Sequence, residues 1–285
     1  SISKSFPVFP RIDLELQELF ILIDSHCHLY FSKLKDDIEN IILRSIENNV
    51  TAILSINTQF KDFQKHYKII EKYQSVFISA GQHPEYVNFS DIISKNEILD
   101  ICNNYDKVIA IGETGIDLYH SDKNLKHQIK AFENHIEASY ESDLPLIIHQ
   151  RNSENEIIEI IKYYQKDKKM KIVFHCFTGS NKLKNFCLDN EFYMSLSGIV
   201  TFKNAKDLRD VIKDIPIKNI LLETDSPFLS PVPFRGKTNE PSFVKHTLEY
   251  LSIFYNISKI DIENITDNNF YDLFSKAKRY NKISI

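Results

Sequence analysis

The sequence predicts an α/β fold, a (β/α)8 TIM-like barrel in a single domain. Three observations carry the prediction. Eight short apolar runs rich in β-branched residues alternate with longer segments of helical period. The chain has 285 residues, and α/β barrels reach about 250 residues or more as one domain. Histidines and carboxylates also gather just after the apolar runs, at the end of a barrel where active sites form. Strand–helix alternation implies a parallel sheet, because each helical crossover returns the chain to the same end of the sheet. A doubly wound open sheet fits the same periodicity and is the competing arrangement.

The first run, LFILI, covers residues 19–23. TAILSI follows at 51–56, VFISAG at 76–81, KVIAIG at 107–112 and PLIIH at 145–149. KIVFH at 171–175, FYMSL at 192–196 and NILLET at 219–224 complete the eight. Between them, residues 37–48 place Ile38, Ile41, Ile42 and Ile46 on one helical face. Residues 124–141 do the same with Ile129, Phe132, Ile136 and Tyr140. Shorter helices are expected at 155–165, 181–190 and 205–213, and terminal ones at 243–255 and 267–276. The barrel is thus expected over 19–285, with residues 1–18 as an N-terminal extension.

Hydrophobic residues make up 42% and charged residues 26% of the chain, enough for a sizeable core under an ordinary polar surface. The net charge of −4 excludes affinity built on a broad basic surface, but not nucleic acid held through metal ions and a few local cations. Cys27, Cys102, Cys176 and Cys187 show no CxxC pair, so free thiols and a reducing, cytoplasmic setting are expected. No apolar run is long enough to span a membrane, and the first residues lack a signal-peptide pattern. No membrane and no obligate protein partner is expected.

The chemistry lies in the strand-end residues. His26 and His28, at the end of the first run, point to the same side of an extended segment and can reach one metal ion. His83 follows the third run, Glu113 the fourth and Asp225 the eighth, while His149 and His175 close the fifth and sixth. A single strand-end histidine is ordinary; convergence from so many strand ends points to a metal centre. Imidazoles with carboxylates suit Zn, Mn, Fe, Co or Ni, and Mg less well. Six ligands, His26, His28, Glu113, His149, His175 and Asp225, are too many for one four-coordinate ion that also holds water. They suit two divalent ions, Mg, Mn or Zn, with Glu113 as the natural bridge.

The segments DSHCHL, GQHP, GETGID, HCFTGS, GIVTFK, LLETDSPFLSP and RGKTNEP, and the closing NNFYDLF, stand in one order from Ile23 to about Phe274. In this the chain resembles the TatD family of metal-dependent DNases, within the amidohydrolase superfamily. The resemblance implies a TIM-like barrel and a two-metal centre. It implies His26 and His28 with Asp225 on one ion, His149 and His175 on the other, and Glu113 between them. It implies phosphodiester hydrolysis with DNA as substrate, often exonucleolytic from the 3′ end. The chain departs from the family at Glu85, where a second histidine is frequent, and in HQRNS after the fifth run; both bear on substrate contacts, not on the ligands.

The expected mechanism is in-line attack by a water that two ions activate, with Asp225 as metal ligand and base. His83 is expected to contact phosphate or protonate the leaving group, with a hydrogen bond to a ligand as its plainer role. Arg235 and Arg151 are candidate phosphate contacts, or else a loop brace and a solvated helix-start residue. Asn239 and Glu240 are expected to fix the RGKTNEP loop, and Cys27 and Cys176 to be buried packing residues. Glu223, two residues before Asp225, is placed to support a ligand or to pack. The Tyr and Phe residues are expected to be mostly core, with Tyr119 and Phe202, near the mouth, as candidates for stacking on a base. The alternative activity is hydrolysis of another ester or amide, for example deacylation of an aminoacyl-tRNA.

Overall fold

The computed structural model describes residues 22–120, 122–166 and 168–281. The expected extension 1–18 and the first residues of the expected first strand lie outside them. Eight strands form one parallel sheet in sequence order, β1 to β8. They are β1 (Leu22–Cys27), β2 (Val50–Ser55), β3 (Val76–Ala80), β4 (Val108–Asp117), β5 (Leu146–Arg151), β6 (Ile172–Phe174), β7 (Tyr193–Leu196) and β8 (Ile220–Leu222). Strand order equal to chain order, with β8 back beside β1, is a barrel; a doubly wound sheet would reverse its order part-way.

The helices between and after them are α1 (Ser32–Lys35), α2 (Ile38–Glu47), α3 (Phe63–Ile70), α4 (Lys95–Asn104), α5 (Leu125–Ser142) and α6 (Glu154–Tyr164). Then come α7 (Asn181–Asp189), α8 (Lys206–Ile212), α9 (Val244–Tyr255), α10 (Lys259–Leu273) and α11 (Lys278–Asn281). Every helix read from periodicity is present, but the last expected one, 267–276, is the second half of the longer α10. The helices α3 and α4 have no counterpart in the sequence reading. In α3 the buried face is only Phe63, His66 and Ile70, and a histidine breaks the apolar pattern. The start of α4 carries a readable signal, the capping box Ser94–Glu97, in which each side chain satisfies the other residue's backbone N–H.

Strand alternation sorts the core into two layers. Leu22, Ile53, Val76, Ile78, Val108, Leu146, Ile148, Ile172, Phe174, Ile220 and Leu222 face the helices. Ile23, Leu54, Phe77, Ile109, Ile147, Val173 and Leu221 fill the barrel. Phe270, Leu273 and Phe274 join the inner layer. The same helix end binds strand beginnings, with Asn269 Nδ2 donating to Ile220 O at 2.8 Å and Lys276 Nζ to Val108 O at 2.9 Å. The bottom of the barrel is therefore plugged by carbon, which leaves the carboxyl ends of the strands for polar chemistry.

The seam between β8 and β1 is not an ordinary strand ladder. Asp225 N donates to His26 O at 2.9 Å and His28 N to Ser226 O at 2.8 Å, just past the end of β8. Below them the buried Asp24 carboxylate accepts from Thr224 N at 2.9 Å and Thr224 Oγ1 at 2.6 Å. Ser25 Oγ donates to Leu222 O at 2.7 Å. Burial pushes the Asp24 carboxyl up to about 8, against the pull of its bonds to Thr224. Replacing Asp24 by Ala orphans Thr224 N and His26 N, which donate to Asp24 Oδ1 at 2.9 and 3.3 Å, and each buried unsatisfied donor costs about 1–3 kcal/mol. Asp24→Ala should lower the thermal midpoint of the metal-free protein, by about 2–4 kcal/mol in stability. Asp24→Asn, which retains an acceptor, should lower it less; equal midpoints for all three proteins in a melting experiment would refute the seam's importance.

Candidate metal centre

Above the plug, the inward positions change from carbon to nitrogen and oxygen. Along β5 the inward Ile147 is followed by His149, and along β6 Val173 by His175, in regular alternation. Following Leu221, the same parity gives Glu223 and Asp225. On β1 and β4 the alternation is broken. Pairing shifts register between Asp24 and Cys27, and between Ile111 and Thr114. The first shift brings His26 inward although Ile23 already faces in; the second turns Glu113 inward although Ile111, two residues before it, packs with the helix-facing layer. Glu113 was expected just after its strand, but it lies inside β4, which runs on to Asp117, and it is buried.

The donor atoms form two groups around Glu113. Its Oε2 lies 3.3 Å from His26 Nε2 and 3.8 Å from His28 Nε2. Asp225 Oδ1 lies 3.6 Å from His26 Nε2 and 3.0 Å from His28 Nε2. On the other side, Glu113 Oε1 lies 2.7 Å from His175 Nε2, 3.1 Å from His149 Nδ1 and 3.3 Å from His83 Nε2. Ligand atoms held about 2.0–2.1 Å from one ion at tetrahedral or octahedral angles are roughly 3–3.4 Å apart. Most of these spacings fall in or near that range.

Buried atoms left without hydrogen bonds provide an independent test of fit. His26 Nε2 and Glu113 Oε2, which face each other across the centre at 3.3 Å, are buried and have no hydrogen-bond partner. Such buried polar atoms at one place are costly unless a further group satisfies them. Divalent cations fit this imidazole and carboxylate set. Three sets of donor atoms lie close enough together to share an ion: His26, His28 and Asp225; His26, Glu113 and His175; and His83, Glu113 and His149.

Outer residues orient the rings. His149 Nε2 meets Asp117 Oδ2 at 2.8 Å, which leaves Nδ1 for the centre. His175 Nδ1 faces the buried Glu223 at 3.5 Å, which leaves Nε2 for the centre. The Glu223 role agrees with its expected place beside Asp225. Asp117 was missed. It has the same parity as Glu113 four residues on, but the sequence reading ended the strand at Gly112. His83 Nδ1 accepts the Glu85 N–H at 3.1 Å, so its neutral ring carries its proton on Nε2. His83 is thus a hydrogen-bond donor toward Glu113 and the cavity.

Asp225 adopts a left-handed backbone, φ +53°, and Cys176 another at φ +42°. Such conformations are uncommon outside glycine and cluster at functional sites. The hydrogen bond from Asp225 N to His26 O holds the first of them. Cys27 is a buried packing residue as expected. Cys176 corrects the expectation: it is half-buried and lines the central cavity, because the turn at its own α-carbon reverses strand parity.

That cavity has a volume of about 680 Å³ and opens over His28, His83, Glu113, His149, His175 and Asp225. Arg151 lines it too, its guanidinium 3.4 Å from the centre of the Tyr119 ring. Arg235 does not line it. Its guanidinium lies 3.7 Å from the centre of the Phe202 ring, and Nη1 donates to Ser230 O at 3.4 Å. Tyr119 and Phe202 thus each carry an arginine. Asn239 and Glu240 brace the loop as expected: Asn239 Nδ2 donates to Thr224 O and Phe228 O, and Glu240 accepts from Arg44.

A model of the family described as TatD related DNase matches residues 23–275. The chain belongs to that family. A metal-dependent hydrolase of Buchnera aphidicola subsp. Baizongia pistaciae is 39% identical over 268 residues, covering 92% of this chain and 99% of the relative. One from Bacillus subtilis is 36% identical, covering 89% and 99%. The crystal structure of the TatD homolog YJJV from Escherichia coli superposes with a TM-score of 0.83 at 26% identity, covering 90% of this chain and 99% of that one. This TatD-family protein is a metal-dependent hydrolase on a TIM-type barrel. Among its described residues no helix is long and apolar enough to cross a membrane.

The charges of the metal-free site set its response to pH. Burial opposes charge on His175, but Glu113 and Glu223 overcome it and hold the ring well above the ordinary imidazole range. For His149 burial is again outweighed, by Asp117 and Glu113. Burial would raise the Glu113 carboxyl, yet His175, His83 and His26 hold it well below the carboxylate range. His175 therefore keeps its proton to well above the ordinary imidazole range, and His149 keeps its own to higher pH than a free imidazole would, so an arriving cation competes with protons. Metal uptake should release protons, so affinity should rise with pH. Calorimetric titration with Zn or Mn in buffers of different ionisation enthalpy should show that release; buffer-independent heats would contradict it. Asp117→Asn and Glu223→Gln should each weaken metal affinity about 10–100-fold, read by competition with a chelator.

Proposed function

We propose that this TatD-family hydrolase cleaves DNA phosphodiester bonds, removing nucleotides in the 3′-to-5′ direction with two divalent ions at the described centre. One observation carries the two-ion reading: Glu113 turns one oxygen toward His26 and His28 and the other toward His149 and His175. We assign His26, His28 and Asp225 to one ion, His149 and His175 to the second, and Glu113 to both. The family description supports DNA as substrate, and the resemblance to TatD DNases supports the polarity.

When bound, such ions polarise a phosphoryl oxygen and acidify a water. The protein's own groups supply the rest. Asp225 lines the cavity, and its carboxylate, held below the ordinary range by His28 despite burial, accepts the proton of the attacking water. His83 donates its Nε2–H to the leaving oxygen and stabilises the charge that develops there. Arg151, held flat on Tyr119, presents its planar fork to a non-bridging phosphoryl oxygen. Arg235, exposed and stacked on Phe202, is assigned to a phosphate farther along the strand.

The test is a metal-reconstituted assay of the full chain on end-labelled DNA, RNA and small carboxylic esters. Stepwise shortening of 5′-labelled DNA and immediate loss of a 3′ label are expected, with about two metal ions per chain by element analysis. Asp225→Asn should lower kcat about 10²–10⁴-fold. Turnover of an aminoacyl ester with DNA left intact would replace this reading with the ester or amide alternative.

A further inference from the structure

A smaller cavity of about 340 Å³ opens beside the metal centre. Small-molecule sites begin at about 300 Å³, so it suits one ring system and not a run of bases. It shares Phe31, Thr58, Tyr86 and Phe228 with the central cavity, so a molecule bound at the metals can reach into it. The roles assigned above leave it unused.

Its walls are aromatic and fixed. The Phe31 ring lies flat on His28 at 4.6 Å and meets the Phe228 ring edge-to-face at 5.9 Å. Phe228 is 47% exposed, a large apolar ring left open at the mouth. Tyr30 stacks on the buried His66 at 5.2 Å, and His66 is tied to Ser55 Oγ at 2.7 Å. The polar end is Asn57, 1% exposed. Asn57 Nδ2 donates to Gln59 O at 3.0 Å, which fixes the amide's orientation, and its backbone N donates to Ser79 Oγ at 3.1 Å. Its Oδ1 is buried and has no hydrogen-bond partner. A buried acceptor of this kind calls for an N–H from elsewhere.

We propose that this cavity is a nucleobase subsite, which takes the base of the nucleotide whose phosphate lies over the metal centre. The base stacks on the open ring of Phe228, with Phe31 at its edge, and turns an N–H of its Watson–Crick edge to Asn57 Oδ1. Every DNA base carries such an N–H, and each has a π-face, so the subsite accepts all four. A base whose Watson–Crick edge is bound by Asn57 cannot be paired. This assignment rests on the phosphodiesterase reading for its substrate.

The test measures binding apart from catalysis. Calorimetry on the metal-loaded full chain compares a deoxynucleoside 5′-monophosphate with deoxyribose 5-phosphate, which lacks the base. The wild type should bind the nucleotide roughly tenfold or more tightly. Phe228→Ala and Phe228→Leu should bring that ratio close to one, and Asn57→Leu should reduce it. Tyr163→Ala, an exposed aromatic on the distant α6, should leave it unchanged. Equal affinities in the wild type, or a ratio that survives both Phe228 variants, would overturn the subsite. If the base-dependent ratio appears but no phosphodiester is cleaved, the subsite stands and the phosphodiesterase reading falls. If DNA is cleaved with no base-dependent ratio, the reverse holds.

Discussion

The carboxylate of Asp24 binds the backbone and side chain of Thr224, a residue two hundred positions later, and so joins the last strand to the first. At this seam His26, His28 and Asp225 reach one another. The backbone bond from Asp225 N to His26 O sets two proposed ligands side by side directly through the main chain. A closed barrel without this junction would still have histidines on β5 and β6, but half of the donor set would be missing. The seam is built from buried hydrogen bonds in place of a strand ladder, because the turn after β8 must aim Asp225 inward with a left-handed backbone.

The rest of the centre follows from how the barrel divides its interior. Apolar residues and the end of α10 fill the lower part, so water and charge are confined to the strands' carboxyl ends. There the low-dielectric surroundings make every unpaired polar atom costly. The cluster answers with mutual compensation: carboxylates hold protons on His149 and His175, and those rings in turn stabilise the Glu113 anion. Asp117 and Glu223 each choose which ring nitrogen faces inward. A metal-binding role accounts for His26 Nε2 and Glu113 Oε2, the central atoms this network leaves unsatisfied, and the chain's relatives are named metal-dependent hydrolases.

Around the centre, aromatic rings hold cations and walls in position. Tyr119 holds Arg151 at the central cavity, while Phe202 keeps Arg235 away from it. Phe31 lies against the proposed ligand His28 and lines both the central and the neighbouring aromatic cavity, so the two cavities share a wall. The donor cluster and the aromatic cavity are in this way parts of one surface.

The sequence by itself determined the strand count and the convergence of His26, His28, His149, His175 and Asp225, while the choice of a barrel over a doubly wound sheet rests on the observed strand order. The count and the convergence follow from local rules: apolar periodicity marks a strand, and the residue after it lies at the barrel's open end. It also announced Glu223 through two-residue parity. Only the tertiary structure decided where alternation fails. The inward turns of His26 and Glu113 depend on register shifts against neighbouring strands, which no local pattern encodes. The extent of β4, and with it the role of Asp117, depends on pairing with β5 as far as Arg151. Whether Arg151 or Arg235 reaches the cavity was likewise decided by which aromatic ring each one meets, a contact between loops far apart in the chain.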